Sequence, residues 1–307
     1  MRTGEDIDRR LPLGDEIFLD HVGHFVRDPH AAAAALSRAG FAPTPISIQV
    51  NPDPAGAAPQ PSGTGNVTAM LDRGYLEVLF KSADTPLGRE LDMAVARYEG
   101  VQLAAFAIAN AERAHERLEQ AGFPMRPLVR MQRPVDTATG PDLAAFTVVR
   151  LERGTMPEGR IQMLTHRTEA TVWQPRWLTH PNSAVGLLDL VIAVADPEEA
   201  AQRFSRFTAR DALPNQFGRA VVLDRGRVQL VRERDFAALF PELPIPGLPF
   251  CGVYGICVRS LDTAAAALSQ NRLVCRRHRN TLFAPFPQGL GLGAWIFVEA
   301  ASELPWR

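Results

Sequence analysis

The sequence predicts an α+β protein made of four tandem βαβββ units, paired into two domains with cupped, mostly antiparallel sheets. The first observation is that four segments repeat one plan of apolar strand, short polar break and Ala-rich helix. The second is that each helix is followed by a hairpin-rich stretch, which favours antiparallel pairing over a doubly wound parallel sheet. The third is that each unit closes with a turn and a short apolar strand, as in Asp72-Arg73-Gly74 before Tyr75 and Asp224-Arg225-Gly226 before Arg227.

Local signals support each helix. A residue that can cap a helix N-terminus follows the first strand of every unit; these residues are Asp28, Asn110, Asp196 and Ser260. Prolines at the first helical turn and glycines after the last turn mark the helix ends; they are Pro29, Pro197, Gly40 and Gly122. A coincidental series of strand–helix pairs is the alternative.

The remaining strands and linkers follow from composition. Two further strands are expected between each helix and the last strand, in unit one near Ile46 to Val50 and Asn66 to Leu71. The Pro/Gly/Ala-rich segment from Asn51 to Gly65 is expected to be a loop. We expect a tail at residues 1–15, one domain at 16–180 and a second, shorter and structural domain at 181–307.

Composition excludes several classes of function. The 307 residues carry a formal net charge of −1, so no strong field attracts nucleic acid or an anionic membrane surface. The charged N-terminus is unlike a signal peptide, and no apolar run is long enough to span a bilayer. The three cysteines form no disulfide framework. A cytoplasmic protein with a small-molecule substrate is the expectation.

The chain resembles the glyoxalase-like branch of the glyoxalase/dioxygenase (vicinal oxygen chelate) superfamily. The resemblance is carried by Leu19-Asp20-His21-Val22 followed by Asp28, and by Gly63-Thr64-Gly65-Asn66 followed by Tyr75-Leu76-Glu77. It implies paired units that hold a divalent metal ion inside a cupped sheet, with ligands from the first and last strands. The ion would coordinate two oxygens of a small oxygenated substrate.

Carrying the family's ligand positions over gives an uneven result. In units one and two the resemblance implies His21, Glu77 and Gln162 as metal ligands, with Leu103 at the fourth position. In units three and four the corresponding residues are Asp189, Gln229, Val253 and Phe297. The principal pocket is therefore expected in the N-terminal half, and the C-terminal half is expected to be structural or to mediate a homodimer.

The residue types favour Zn, Fe, Mn, Co or Ni, and three ligands would leave open coordination positions. Glu77 is the candidate catalytic residue, as a ligand or as a displaced base. Gly23 is expected to leave space beside His21, and His24 to be hydrogen-bonded under a helix. His166 is expected at a strand end in solvent, or in a two-His-one-carboxylate set if the register shifted. Trp173 and Trp177 would wall the N-terminal cup or pack between the halves.

Two functions remain open from the sequence. The first is a metal-dependent lyase, isomerase or extradiol-type dioxygenase. The second is a metal-free small-molecule-binding protein of the same fold, in which His21 and Glu77 form an inward hydrogen-bonded pair. An unpaired Glu77 in an apolar strand would be costly to bury, so a basic group or a metal is expected to face it.

Overall fold

The computed structural model describes residues 7–51 and 59–307. Residues 1–6 of the predicted tail and residues 52–58 of the predicted loop lie outside these ranges. Two eight-stranded sheets make up the fold, one from units one and two and one from units three and four. The predicted α+β fold of four paired βαβββ units is confirmed, while the division of the chain at residue 180 stays a prediction.

The N-terminal half is a closed barrel with the strand order β1-β4-β3-β2-β6-β7-β8-β5. Within each unit the first and last strands pair in parallel, and the other pairings are antiparallel. The elements are β1 (Ile17–Phe25), α1 (Pro29–Arg38), β2 (Ser47–Asn51), β3 (Gln60–Met70), β4 (Tyr75–Lys81), α2 (Pro86–Arg97), β5 (Gly100–Ile108), α3 (Ala111–Gln120), β6 (Val129–Thr137), β7 (Gly140–Arg150), β8 (Arg160–His166) and α4 (Glu169–Val172).

The C-terminal half forms one sheet with the order β10-β11-β12-β9-β13-β16-β15-β14. Its first and last strands again pair in parallel within each unit. The elements are β9 (Ala184–Val194), α5 (Pro197–Thr208), β10 (Ala212–Asn215), β11 (Gly218–Val222), β12 (Arg227–Arg232), α6 (Glu233–Leu239), β13 (Phe250–Val258), α7 (Leu261–Gln270), β14 (Arg276–His278), β15 (Thr281–Pro285) and β16 (Ala294–Val298).

The four predicted helix caps are present. Asp28 accepts hydrogen bonds from the backbone of His30 and Ala31, and the other three capping side chains accept equivalent bonds. Gly40 and Gly122 follow their helices with φ of 79° and 80°, a conformation in which glycine carries no Cβ penalty. Short-range sequence signals therefore fix the helix boundaries of the repeated unit.

One local expectation was wrong, and helix α2 was missed. Residues Gln60 to Gly65 belong to β3 rather than to a loop. Gly65 lies directly opposite Phe80, and a Cβ at Gly65 would come within 2.3 Å of that ring, so glycine here makes room for an aromatic neighbour. Helix α2 was not predicted, although Thr85 caps it and Pro86 occupies its first turn.

The two halves contact each other reciprocally. The turn before β4 reaches β9, where Leu187 N donates to Arg73 O at 2.9 Å. The equivalent turn before β12 reaches β1, where Leu19 N donates to Arg225 O at 2.8 Å. In each half, the turn before the last strand of the first unit is thus hydrogen-bonded to the first strand of the other half.

One hydrophobic core runs through both halves, from Ile17 to Phe297. A buried hydrogen-bond chain crosses it: Trp295 Nε1 donates to Tyr254 Oη, which lies 2.8 Å from His24 Nε2. His24 Nδ1 lies 2.9 Å from Leu290 O, so the neutral ring donates there and accepts from Tyr254. His24 thus joins the halves. In the described ranges no helix has the length and apolarity to cross a membrane.

Candidate metal centre

The parallel pairing of β1 and β4 brings His21 and Glu77 together. Glu77 pairs with Gly23, two residues after His21, so both side chains point to the same face of the sheet. His21 Nε2 lies 3.4 Å from Glu77 Oε2, and both side chains are buried. These two side chains therefore converge inside the barrel, as predicted from the sequence.

Hydrogen bonds hold both groups in place. Asp20 Oδ2 lies 2.7 Å from His21 Nδ1, and Asn66 Nδ2 donates to Glu77 Oε1 at 2.6 Å. Tyr75 stacks on the His21 ring with centroids 4.3 Å apart. The imidazole is therefore oriented with Nε2 directed at the carboxylate.

The electrostatics of this pair follow from burial and hydrogen bonding. Burial disfavours the imidazolium, but the bonds to Asp20 and Glu77 outweigh it and raise the pKa of His21 to about 9. Burial also opposes ionisation of Glu77, yet His21 holds the pKa of this carboxyl below its ordinary value. The two carboxylates on either side of His21 thus favour the charged form of the imidazole.

Asp20 is a site residue that the sequence reasoning missed. Strand alternation predicts that neighbours such as Asp20 and His21 face opposite sides. The pairing of β1 with β5 shifts register between Leu19 and His21, so Asp20 is the extra residue of a β-bulge. The bulge lets the Asp20 carboxylate reach both His21 and His166.

His166 is not in solvent, as one reading of the sequence expected. It is buried, and its Nε2 lies 3.0 Å from Asp20 Oδ1 rather than facing Glu77. Trp173 packs on the His166 ring with centroids 4.7 Å apart and belongs to the apolar cluster inside the barrel. His166 therefore contacts Asp20, and Trp173 packs on His166, so both residues support the site without lining its cavity.

Gln162 lines the same cavity as His21 and Glu77. It is buried, and its Oε1 has no hydrogen-bond partner among the described residues. A buried amide oxygen without a partner is costly, so this atom is suited to a ligand or an ion in the cavity. Its register opposite Ala105 on β5 follows the family pattern inferred from the sequence.

Leu103 and Gly23 do not form the open space that the sequence suggested. A Cβ at Gly23 would lie 2.9 Å from Leu103 Cβ, so the leucine already fills the volume beside the glycine. Leu103 stands where a second first-strand ligand would be. The inferred ligand positions thus supply one imidazole, one carboxylate and one amide, and Gln49 and Asn66 add two further amides to the cavity.

The donor set fits a single divalent ion. Two ligand atoms bound to one ion at roughly 2.0–2.1 Å lie about 3–3.4 Å apart, which is the His21–Glu77 separation. Asp20 supplies the carboxylate–histidine contact that orients metal-bound imidazoles. Within residues 7–51 and 59–307, however, no three His, Cys, Asp or Glu side chains are placed so that they could hold one metal ion together. The third donor would have to be a neutral side chain: Gln162, which follows the family pattern, or Asn66, whose Oδ1 also has no hydrogen-bond partner among the described residues.

The corresponding positions in the C-terminal half are occupied differently. Asp189 accepts hydrogen bonds from Trp306 and Arg307, and Gln229 is bonded to Asn215. Val253 lies in an apolar cluster with Trp306 on this side of the sheet. These side chains leave no free donor pair comparable with His21 and Glu77.

The assignment of Phe297 in unit four was wrong by one residue. Ile296 is the residue opposite Gly255, two residues after Val253, and so corresponds to Glu77. Phe297 points to the opposite face and contacts Phe41. This short strand is apolar at every position, so its sequence allowed either register, and only its pairing partner distinguishes them.

Comparison with known proteins agrees with this fold. Residues 19–208 match the family described as a glyoxalase-like domain, which is more than half of the chain. The chain belongs to the glyoxalase-like domain family. No curated protein sequence matches it.

Three solved structures have a similar fold at low identity. A hypothetical protein from Staphylococcus aureus has 9% identity and a TM-score of 0.62, over 92% of this chain and 98% of that one. A triple mutant of 4-hydroxymandelate synthase from Streptomyces coelicolor has 13% identity and a TM-score of 0.56, over 95% and 96%. A Mn(II)-bound glyoxalase from Novosphingobium aromaticivorans has 13% identity and a TM-score of 0.51, over 92% and 82%.

Proposed function

We propose that this protein is a cytoplasmic metal-dependent enzyme of the glyoxalase/dioxygenase superfamily that acts on a small oxygenated metabolite. The observation that carries the proposal is the 3.4 Å approach of His21 Nε2 to Glu77 Oε2, with His21 Nδ1 fixed by Asp20. His21, Glu77 and Gln162 would hold the ion. The Mn(II)-bound glyoxalase with the same fold supports a divalent ion, and Zn, Fe, Mn, Co and Ni all suit these donors.

A bound divalent ion would polarise a carbonyl or enolate oxygen of the substrate. Glu77 would hold the ion or, when displaced by substrate, accept a proton at its carboxylate. Asp20 would keep the His21 ring in one orientation. Leu103 and Tyr75, which line the cavity with Glu77, would keep its interior dry around the reacting oxygens. These roles suit a lyase, an isomerase or an extradiol-type dioxygenase.

A metal-free binding protein of the same fold is the second candidate. It is favoured by the bonding of Glu77, whose two oxygens face His21 and Asn66 respectively, so the pair needs no ion to be buried. The open cavity beside the pair would then hold a small molecule without converting it.

Metal content separates the two candidates. Protein purified without chelator is expected to carry close to one equivalent of a transition metal by elemental mass spectrometry, and His21→Ala and Glu77→Ala are expected to carry none. Asp189→Ala would be a poor control, because Asp189 is fully buried and bonded to Arg307, so alanine would damage the fold. Asp189→Asn is the better control and should retain the metal. Metal-free wild-type protein that also takes up none of the five ions would favour the binding protein.

A further inference from the structure

We propose that the site takes an organic acid, with its carboxylate held by Arg133, Arg150 and Arg160 and its apolar tail in a groove beneath α2. The inference deepens the proposed function by naming the substrate class of the same site. It rests on the proposed function in one respect, namely that the reaction takes place in the cavity of His21 and Glu77.

Three guanidinium groups from three neighbouring strands line the cavity of His21 and Glu77. They come from β6, β7 and β8, and none forms an ion pair with a carboxylate among the described residues. Arg133 is only 8% exposed. Arg150 Nε is buried without a hydrogen-bond partner. Burial and the neighbouring positive charges of Arg160 and Arg126 lower the pKa of Arg150 to about 9.

The carboxylates nearby are already engaged. Glu77 faces His21, and Arg126 forms ion pairs with both Glu90, at 2.9 Å, and Glu152, at 3.4 Å. Arg160 lies over the Phe25 ring at 5.1 Å, which stabilises one of the three cations but adds no negative charge. Arg133 is buried and Arg150 and Arg160 are half-buried, and guanidinium groups that are withdrawn from water without a direct ion pair are costly. A bound anion is what the arrangement lacks, and planar carboxylates match guanidinium geometry.

The volumes of the cavity and of the adjoining groove indicate where each end of the ligand would lie. The cavity around His21 and Glu77 has a volume of about 40 Å³, which accommodates roughly three waters and hence only a small head group. A larger groove of about 280 Å³ adjoins it, because Arg150, Arg160 and Gln162 line both. The ligand therefore has to place its bulk in the groove and its charge at the arginines.

The groove is suited to an apolar tail. One part of its wall is apolar, with side chains from α2, from the segment between β7 and β8 and from β8, namely Leu87, Met93, Ala94, Leu151, Met156 and Ile161, while the rest of the lining is polar or charged. Met93 is 43% exposed, so its side chain is accessible to a ligand in the groove. An apolar chain ending in a carboxylate matches both regions.

Isothermal titration of chelator-treated protein with hexanoate, octanoate and decanoate tests the proposal without any activity assay. We expect binding that strengthens roughly fourfold per added methylene until the groove is filled. 1-Octanol should bind at least tenfold more weakly than octanoate. Arg150→Gln and Arg133→Gln should each weaken octanoate binding at least tenfold, and Arg89→Gln, an exposed change on α2, should leave it unchanged.

The outcomes separate this proposal from the metal site. His21→Ala should lose metal but still bind octanoate, whereas Arg150→Gln should retain metal and lose octanoate. Equal binding of octanoate and 1-octanol, or unchanged octanoate binding in both arginine variants, would overturn the proposal. Binding of octyl phosphate without binding of octanoate would also overturn it, by assigning the arginines to a phosphate. Variants that fail to fold are recognised by circular dichroism, in which case the comparison of octanoate with octanol in wild-type protein decides.

Discussion

At the scale of single residues, the site depends on Asp20, a carboxylate that is fully buried between two histidines. These histidines hold the pKa of Asp20 well below its usual range in spite of burial. Asp20 does not face the cavity, so it acts through the orientation of His21. Its role is that of a positioning residue rather than a ligand.

Asp20→Asn is therefore expected to weaken metal binding without abolishing it. Loss of a carboxylate behind a metal-bound histidine typically costs roughly 10–100-fold in affinity. Competition titration against a chromophoric chelator measures the change. Asp189→Asn makes the same substitution at a fully buried first-strand carboxylate of the other half and should not alter metal affinity. Unchanged affinity in Asp20→Asn would show that the contact does not orient His21.

His24 is expected to impose a pH dependence on stability. Burial lowers its pKa to about 4, against the opposing hydrogen bond to Leu290. As the pH falls below about 6.5, His24 protonates in the unfolded chain but stays neutral in the fold. The unfolded state then binds more protons, so stability falls by up to about 1.4 kcal/mol per pH unit between pH 6.5 and 4.

Urea denaturation of wild type and His24→Gln across this range tests the effect of His24. The difference in unfolding free energy between the two proteins should shrink as the pH falls, since only wild type carries this titration. His30→Gln, at an exposed position on α1, is the control and should give a constant difference. A constant difference for His24→Gln would contradict the expectation.

At the scale of elements, the closing hairpin of unit one depends on the pairing of Gly65 with Phe80. Gly65→Ala would place a methyl group 2.3 Å from the Phe80 ring, which is buried and cannot swing into solvent. We expect a loss of roughly 1–3 kcal/mol in unfolding free energy, the usual cost of overpacking. Phe80→Leu in the same chain should recover part of it. An additive double-mutant cycle would mean that the two residues do not interact.

How far the sequence predicts each element depends on how local its determinants are. The caps at Asp28 and Asp196 lie within three residues of the amides they bind, so sequence patterns reveal them. Asp20 was missed because a bulge on β1 breaks the alternation on which the reading relied. The convergence of Arg133, Arg150 and Arg160 depends on the pairing registers of three strands, which sequence spacing does not determine.

At the scale of the whole molecule, the continuous core predicts that the halves unfold together. Buried residues of both halves form one apolar cluster, and the bond between His24 and Tyr254 crosses it. We expect a single calorimetric transition for the metal-free protein. Residues 16–180 expressed alone should fail to give a folded monomer, because the face that packs on the other half would be exposed. Two separate transitions would show that the halves are thermodynamically independent.

The reciprocal exchange of closing turns between the halves has an evolutionary consequence. Arg73 is bonded to Val185 and Leu187, and in the other half Asp224 and Arg225 are bonded to Ile17 and Leu19, which resembles the self-complementary pattern of a twofold homodimer within one chain. A half-length ancestor with this turn would have associated with a second copy of itself, and fusion of duplicated genes would have preserved the contact. Once joined, the two copies would no longer have needed identical cavities. In the present chain the N-terminal half has the polar cavity, and Trp306 and Val253 pack together in the C-terminal half.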